Sequence, residues 1–297
     1  MGRGTGIQFA DDTANGMMGC DGCELWPADP AVRAAHPETR ICYAGVQTEN
    51  ILMNGPRKGW PTSFDVPMLF PGRIEKTAAW KDLTGTPRPD KPWLDGMPRV
   101  IFCDDMGDRW TKSLPIDSLA PTLPVIAKAP HIYLFFTKRP DRAAEFSREH
   151  RLPENLWMVT TITSAQDARL RALQRIKAAM LGVSYEPILG DAVEAIRRHP
   201  WVRWWIFGGS SGDNATPTDV VIIRAGVAAC REVGSAPFIK QLGSRPRLEH
   251  YDLSGEAFRR LDAIGWTEHD GPPRLQHLKG GDWSEWEENL RVREYPK

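Results

Sequence analysis

Three of the five cysteines in this 297-residue chain fall between Cys20 and Cys42, at spacing C-x2-C-x18-C. Thiolates gathered in this way hold a soft metal ion or an iron–sulfur cluster, and the spacing alone does not choose between them. A structural zinc site needs a fourth ligand, and His36 inside the x18 stretch would complete a Cys3His set. A cluster that leaves one iron open to a ligand needs only Cys20, Cys23 and Cys42. Cys103 lies in a strand pattern and Cys230 in a helix pattern, so both read as small buried hydrophobes outside the metal site.

A second group of chemistry-bearing residues follows short apolar runs. Asp104, Asp105 and Asp108 come after Val100–Cys103, and Thr137, Lys138 and Arg139 after His131–Phe136. Thr161 and Thr163 follow Trp157, Ser184 and Glu186 follow Met180, and Lys240 and Gln241 end the run from Phe238. The run Gly208-Gly209-Ser210-Ser211-Gly212-Asp213-Asn214 follows Trp204–Phe207. Glycines there permit close backbone approach to a ligand and expose N–H groups to a carboxylate or phosphate. Lys138 and Arg139 suit an anionic group. Gly208 to Gly212, Lys138 and Glu186 are therefore the candidate cofactor-binding residues, and each also has the plainer reading of a polar strand end.

The elements that must position these groups alternate. The expected strands are Ile7–Phe9 and the five apolar runs just named, together with Phe238–Lys240. Helices are expected over 43–53, 73–81, 165–178, 189–199, 217–233 and 254–263, with Thr216 and Pro217 starting the fifth as N-cap and N1. Apolar strands alternating with helices indicate a parallel sheet covered by helices. About seven such units suggest a partial or complete (β/α) barrel, in which chemistry gathers at the C-terminal strand ends. The cysteine loop would follow the first strand. One domain is expected over 1–297, with an irregular Pro/Gly/Trp-rich segment at 54–98 and a C-terminal extension at 244–297.

Bulk composition narrows the partners. The chain is 41% hydrophobic and 26% charged with no net charge, normal for a globular protein that buries a sizeable core. No global field draws it to nucleic acid or anionic lipid, so a nucleic-acid partner would need a local basic patch. Arg139, Arg142, Arg245 and Arg247 are the candidates for one. No apolar run approaches a membrane span and no secretory pattern opens the chain, so the expected setting is cytoplasmic, without a membrane partner. An odd, uneven set of cysteines fits reduced thiols better than a disulfide framework.

Several motifs together resemble the phage-associated radical-SAM-like proteins, a family long described only as a domain of unknown function. They are Cys42-Tyr43-Ala44, Leu134–Arg142, Ser184–Pro187, the glycine run, Phe238–Gly243 and the tail Lys279–Pro296. The family usually brings its last two cysteines close together, and it usually reads Gly-Gly-Glu-Ser-Gly where this chain has Ser210 third. The resemblance implies a barrel of the radical SAM type and a 4Fe–4S cluster on Cys20, Cys23 and Cys42. It also implies S-adenosylmethionine on the open iron, reduced by an electron donor to yield a 5′-deoxyadenosyl radical. The implied activity is an isomerase that rearranges an amino-acid-modified thymine in phage DNA, working in the host cytoplasm. Two alternatives stay open: a radical enzyme acting on a small molecule, peptide or RNA, and a zinc-stabilised, non-catalytic nucleic-acid-binding protein.

Overall fold

The computed structural model describes residues 2–212, 215–247 and 275–296. The helix expected at 254–263 lies outside them, as do Asp213 and Asn214. In chain order the strands are β1 (Gly2–Arg3), β2 (Asp12–Ala14), β3 (Met17–Met18), β4 (Met68–Leu69), β5 (Val100–Cys103) and β6 (Ile132–Thr137). They continue with β7 (Leu156–Ile162), β8 (Met180–Tyr185), β9 (Trp204–Gly208), β10 (Thr218–Asp219), β11 (Ala236–Gln241) and β12 (Pro246–Arg247). The helices are α1 (Pro30–Ala35), α2 (Tyr43–Leu52), α3 (Leu123–Lys128), α4 (Pro140–Glu149), α5 (Asp167–Leu173), α6 (Val193–Arg198) and α7 (Val220–Val233). Among the described residues no helix is long and apolar enough to cross a membrane.

The chain divides into two compact units, the first Met1–Thr161 with Asp167–Gly182, the second Ile162–Gln166 with Val183–Lys297. In the first unit β2, β5, β6 and β7 lie side by side in chain order, parallel throughout, with β1 antiparallel on the edge at β2. In the second, β11 runs parallel beside β9, which neighbours the end of β8. Strands in chain order are the winding of a partial β/α barrel, whereas a doubly wound sheet reverses direction. The coarse expectation of a parallel α/β fold wound like part of a barrel therefore holds.

Burial explains which runs became strands. Every residue of β9 is buried, and in β6 only Phe136 is partly exposed, as strands covered on both faces require. The first strand departs from expectation: residues 7–9 form a turn, and Asp12–Ala14 is the strand. Phe9 is buried all the same, stacked against Phe136 with centroids 5.1 Å apart. Asp12 enters the sheet because its carboxylate is ion-paired with Arg99. The segment 54–98 holds only β4 and two short 3-10 turns, one of them Glu75–Ala79 where a helix was expected. Arg88 ties it down, donating to Asp11 Oδ1 at 2.9 Å and to the Leu94, Met97 and Pro98 carbonyls at 2.6, 3.0 and 3.1 Å.

In the second unit α7 starts later than Thr216–Pro217 suggests. Asp219 caps it by accepting from Val221 N at 3.0 Å, because Thr218 is drawn into a short parallel pair with Pro246. The tail covers the edge of β11: Ile239 N donates to Val292 O at 2.7 Å and Glu294 N to Pro237 O at 3.0 Å. A cover of this kind protects an otherwise open sheet edge.

Candidate metal centre and a second polar cluster

The cysteine loop lies in the first unit. Cys20 N donates to Phe64 O at 2.8 Å, and Gly22 takes φ 94°, a conformation that favours glycine; a Cβ there would meet the Ala28 backbone at 2.8 Å. Cys23 and Trp26 exchange backbone hydrogen bonds of 2.9 and 3.0 Å. The 18 residues between Cys23 and Cys42 then return on themselves. Leu25 O, near their start, accepts from Ile41 N at 3.2 Å and from Cys42 N at 2.9 Å at their end. Helix α1 occupies the loop between, opened by Asp29, which accepts from Ala31 N at 2.8 Å. Arg33 on α1 is buried beneath it, ion-paired with Asp65, donating to Ala28 O at 3.1 Å and lying 4.8 Å over the Trp26 ring.

The loop thereby brings the cysteines into one neighbourhood. Cys20 packs with Met18, Trp26, Ala44, Phe64 and Met106, and Cys42 borders the same cluster. Cys42 is also the N-cap of α2, where amide groups point outward. Burial pushes all three thiols above their ordinary pKa. Arg139 opposes that at Cys20, Lys138 opposes it at Cys23 and Cys42, and the Gly45 and Ala44 amides also oppose it at Cys42. The thiols are therefore protonated at neutral pH, and a metal binding there would displace protons.

Two consecutive cations at the end of β6 serve this cluster. Burial disfavours the Lys138 ammonium, yet its pKa is raised because Cys23, Cys42, Glu24 and Asp108 outweigh that cost. Arg139 Nη1 donates to Cys20 Sγ at 3.3 Å, and its Nη2 donates to Gly22 O at 2.7 Å and pairs with Asp21. Asp108, from the loop after β5, holds the turn by accepting from Thr137 Oγ1 at 2.8 Å and from Lys138 N at 2.9 Å. Glu24 pairs with Arg169 at 2.7 Å, and although burial works against it, that partner brings its carboxyl down to about 2.

Among the described residues no three His, Cys, Asp or Glu side chains form a ready-made metal-holding group. The donor chemistry nevertheless fits a thiolate-held soft metal. Ligand sulfurs need outer hydrogen bonds and local positive charge. Here Cys20 has Arg139, Cys23 Sγ accepts from Leu25 N at 3.4 Å, and Cys42 has the start of α2. His36 stands apart from this set, exposed and facing Glu38 at 3.2 Å. Cys103 and Cys230 are buried as expected, and burial raises both thiols.

The second unit gathers the other candidates. Glu186 is ion-paired with Lys240, and Gln241 Nε2 donates to Gly209 O at 3.0 Å. Gly208 lies under this pair: a Cβ there would meet the Glu186 carboxyl carbon at 2.8 Å, so glycine makes room for the carboxylate to reach β11. Three amides of the run are engaged within the unit. Gly209 N donates to Gln241 O at 3.0 Å, Ser210 N to Thr218 Oγ1 at 3.2 Å, and Gly212 N to Ser244 Oγ at 3.3 Å. Gly208, Gly209 and Ser210 are buried, Ser211 is half-exposed and Gly212 is exposed, so the run packs closely at its start and opens at its end. Arg139 and Arg142 are likewise turned inward, Arg142 onto Leu114 O at 3.2 Å, whereas Arg245 and Arg247 are exposed.

Thr111, Asp21, Arg33 and Asp65 had no signal in spacing, and each works through a partner distant in sequence. Together the observations define an α/β protein of parallel, chain-ordered strands with a thiol–cation cluster at the strand ends of its first unit. The chain belongs to the family described as protein of unknown function DUF5131, whose model matches residues 4–270. No curated protein and no solved structure matches it.

Proposed function

We propose that the chain is a radical S-adenosylmethionine enzyme whose Cys20, Cys23 and Cys42 hold three irons of a 4Fe–4S cluster. The observation that carries this reading is the closure of the x18 loop at Leu25, which gathers three thiols around Lys138 and Arg139. With S-adenosylmethionine bound, such a cluster supplies a reductively generated 5′-deoxyadenosyl radical that abstracts hydrogen from an unactivated carbon. The protein's own part is to keep the thiols dry, to compensate their charge through Lys138 and Arg139, and to orient α2 behind Cys42. Gly208 to Gly212 and Glu186 in the second unit stay candidates for cofactor binding, Glu186 being ion-paired with Lys240.

The substrate proposed with it is an amino-acid-modified thymine in phage DNA, rearranged by an isomerase with an external electron donor. Of the four candidate arginines Arg245 and Arg247 are the exposed pair available to phosphates, and a base in duplex DNA would have to be flipped out to be reached.

Anaerobic purification tests the metal. A brown protein with about four irons is expected, and a colourless protein with one zinc overturns the reading. Cys42→Ala should abolish iron uptake while Cys230→Ala retains it. For the substrate, amino-acid-modified DNA incubated with S-adenosylmethionine and reductant should yield a rearranged nucleoside by mass spectrometry. Formation of 5′-deoxyadenosine without that product would assign the enzyme to another substrate.

A further inference from the structure

The three sulfurs have unequal surroundings. Arg139 Nη1 reaches Cys20 Sγ at 3.3 Å. Thr111 Oγ1 lies 3.9 Å from the same sulfur but also bonds Asp21 Oδ1 much more closely. A hydroxyl has one hydrogen to donate, and the carboxylate is the nearer and stronger acceptor, so Thr111 contributes little to the sulfur. Cys23 and Cys42 face Lys138 through space and backbone amides by contact. Cys20 alone has a guanidinium as its hydrogen-bond donor among the described residues.

That guanidinium is held from several sides. Asp21 and Gly22 O take Nη2, while Asp108 Oδ2 lies 3.4 Å from Nη1. Asp108 also anchors the backbone of the turn that carries Arg139. A salt bridge made only for stability would end at Asp21. Here the second nitrogen is directed at sulfur, and three protein groups prevent it from swinging to solvent.

We infer that Arg139 tunes the reduction potential of a cluster held by Cys20, an inference that rests on the cluster reading above. Hydrogen bonds and positive charge at a ligand sulfur favour the reduced form, which carries one more negative charge. Arg139 is thus a positioning and charge-compensating residue. Losing it should shift the one-electron reduction equilibrium about tenfold toward the oxidised form, which corresponds to about 59 mV more negative.

The test is a dithionite titration followed by electron paramagnetic resonance, with no S-adenosylmethionine present, on wild type, Arg139→Gln and Arg139→Lys after anaerobic loading with iron and sulfide. The expected result is equal iron content with the midpoint lowered in Arg139→Gln and lowered less in Arg139→Lys, which keeps the charge and loses the fork. Full iron content with an unchanged midpoint overturns the role of Arg139 and leaves the cluster reading standing. A wild type that takes up no iron overturns the cluster reading itself, and this inference with it. Should Arg139→Gln not take up iron, Arg139→Lys decides: a midpoint equal to wild type in that variant overturns the inference.

Discussion

Replacing Arg33 by methionine should loosen the loop that delivers Cys42 to the other cysteines. Methionine keeps most of the apolar stem against Trp26 and removes the guanidinium. Three attachments go with it: the ion pair to Asp65, the hydrogen bond to Ala28 O at 3.1 Å and a closer one to Pro27 O. Breaking a buried pair by deleting one partner costs roughly 3–5 kcal/mol. Asp65 is 30% exposed and still accepts from Trp26 Nε1 at 3.0 Å, so the lower part of that range applies. A loss of about 3 kcal/mol lowers Tm by roughly 5 °C at this size. Thermal unfolding of the metal-free protein measures that loss, and iron uptake after anaerobic loading measures the delivery of Cys42. The double variant Arg33→Met with Asp65→Asn should recover much of the stability, because no charge is then left without its partner and the amide oxygen still accepts from Trp26 Nε1. If Arg33→Met melts within about 1 °C of wild type and loads fully, the loop is not held by this clamp and the reasoning fails.

Two further substitutions probe the same unit. Gly45→Ala would gain about 1 kcal/mol in helix propensity, but its Cβ would lie 2.6 Å from the Trp26 ring, so a net destabilisation of about 1–3 kcal/mol is expected in urea denaturation; a stabilised variant would mean that Trp26 yields readily. Asp105 is raised to about 6, chiefly by burial, with Asn15 opposing and Asp104 adding. A folded pKa above the unfolded one means that its contribution is favourable at low pH and lost as pH rises through about 6. Asp105→Asn should therefore be more stable than wild type above that pH, by about 1–3 kcal/mol, and should show no such gain near pH 4; a difference in Tm independent of pH would refute the assignment.

The parts of the fold visible in sequence were those whose burial is uniform. Runs such as Trp204–Phe207 and His131–Phe136 could be little else than covered strands, and both lie where expected to within a residue or two. The first strand was misplaced because Asp12 and Thr13 look like loop residues until Arg99 is known to stand beside them. Helix α4 carries a buried stripe that is weak as a signal: Pro140, Ala143, Ala144 and Ser147 are small, and Phe146 is the one large apolar residue among charged ones. The site divides in the same way. Cysteine spacing and polar strand ends are local properties, so the sequence alone singles out Cys20, Cys23, Cys42 and Lys138 as candidates. The bond from Arg139 to Cys20 spans 119 positions, and spacing carries no information about such a contact. The glycine run is ambiguous in sequence because a tight packing turn and an anion-binding loop ask for the same residues; the bonds of Ser210 N to Thr218 Oγ1 and Gly212 N to Ser244 Oγ join residues 8 and 32 positions apart, which spacing does not reveal.

The long separation between Cys23 and Cys42 is a smaller obstacle to a shared site than its length suggests. Closing a flexible loop costs free energy only with the logarithm of its length, so 18 residues cost about 1 kcal/mol more than a handful would. Two backbone hydrogen bonds at Leu25 O and the buried Arg33 offset a term of that size. What the extra residues do require is an internal core of their own, and they have one: Trp26 lies between Arg33 and the cysteine cluster, with its edge toward Phe64 at 5.4 Å. The insertion is therefore part of the wall of the thiol site, and a change at Arg33 acts on the sulfurs through Trp26 without touching them.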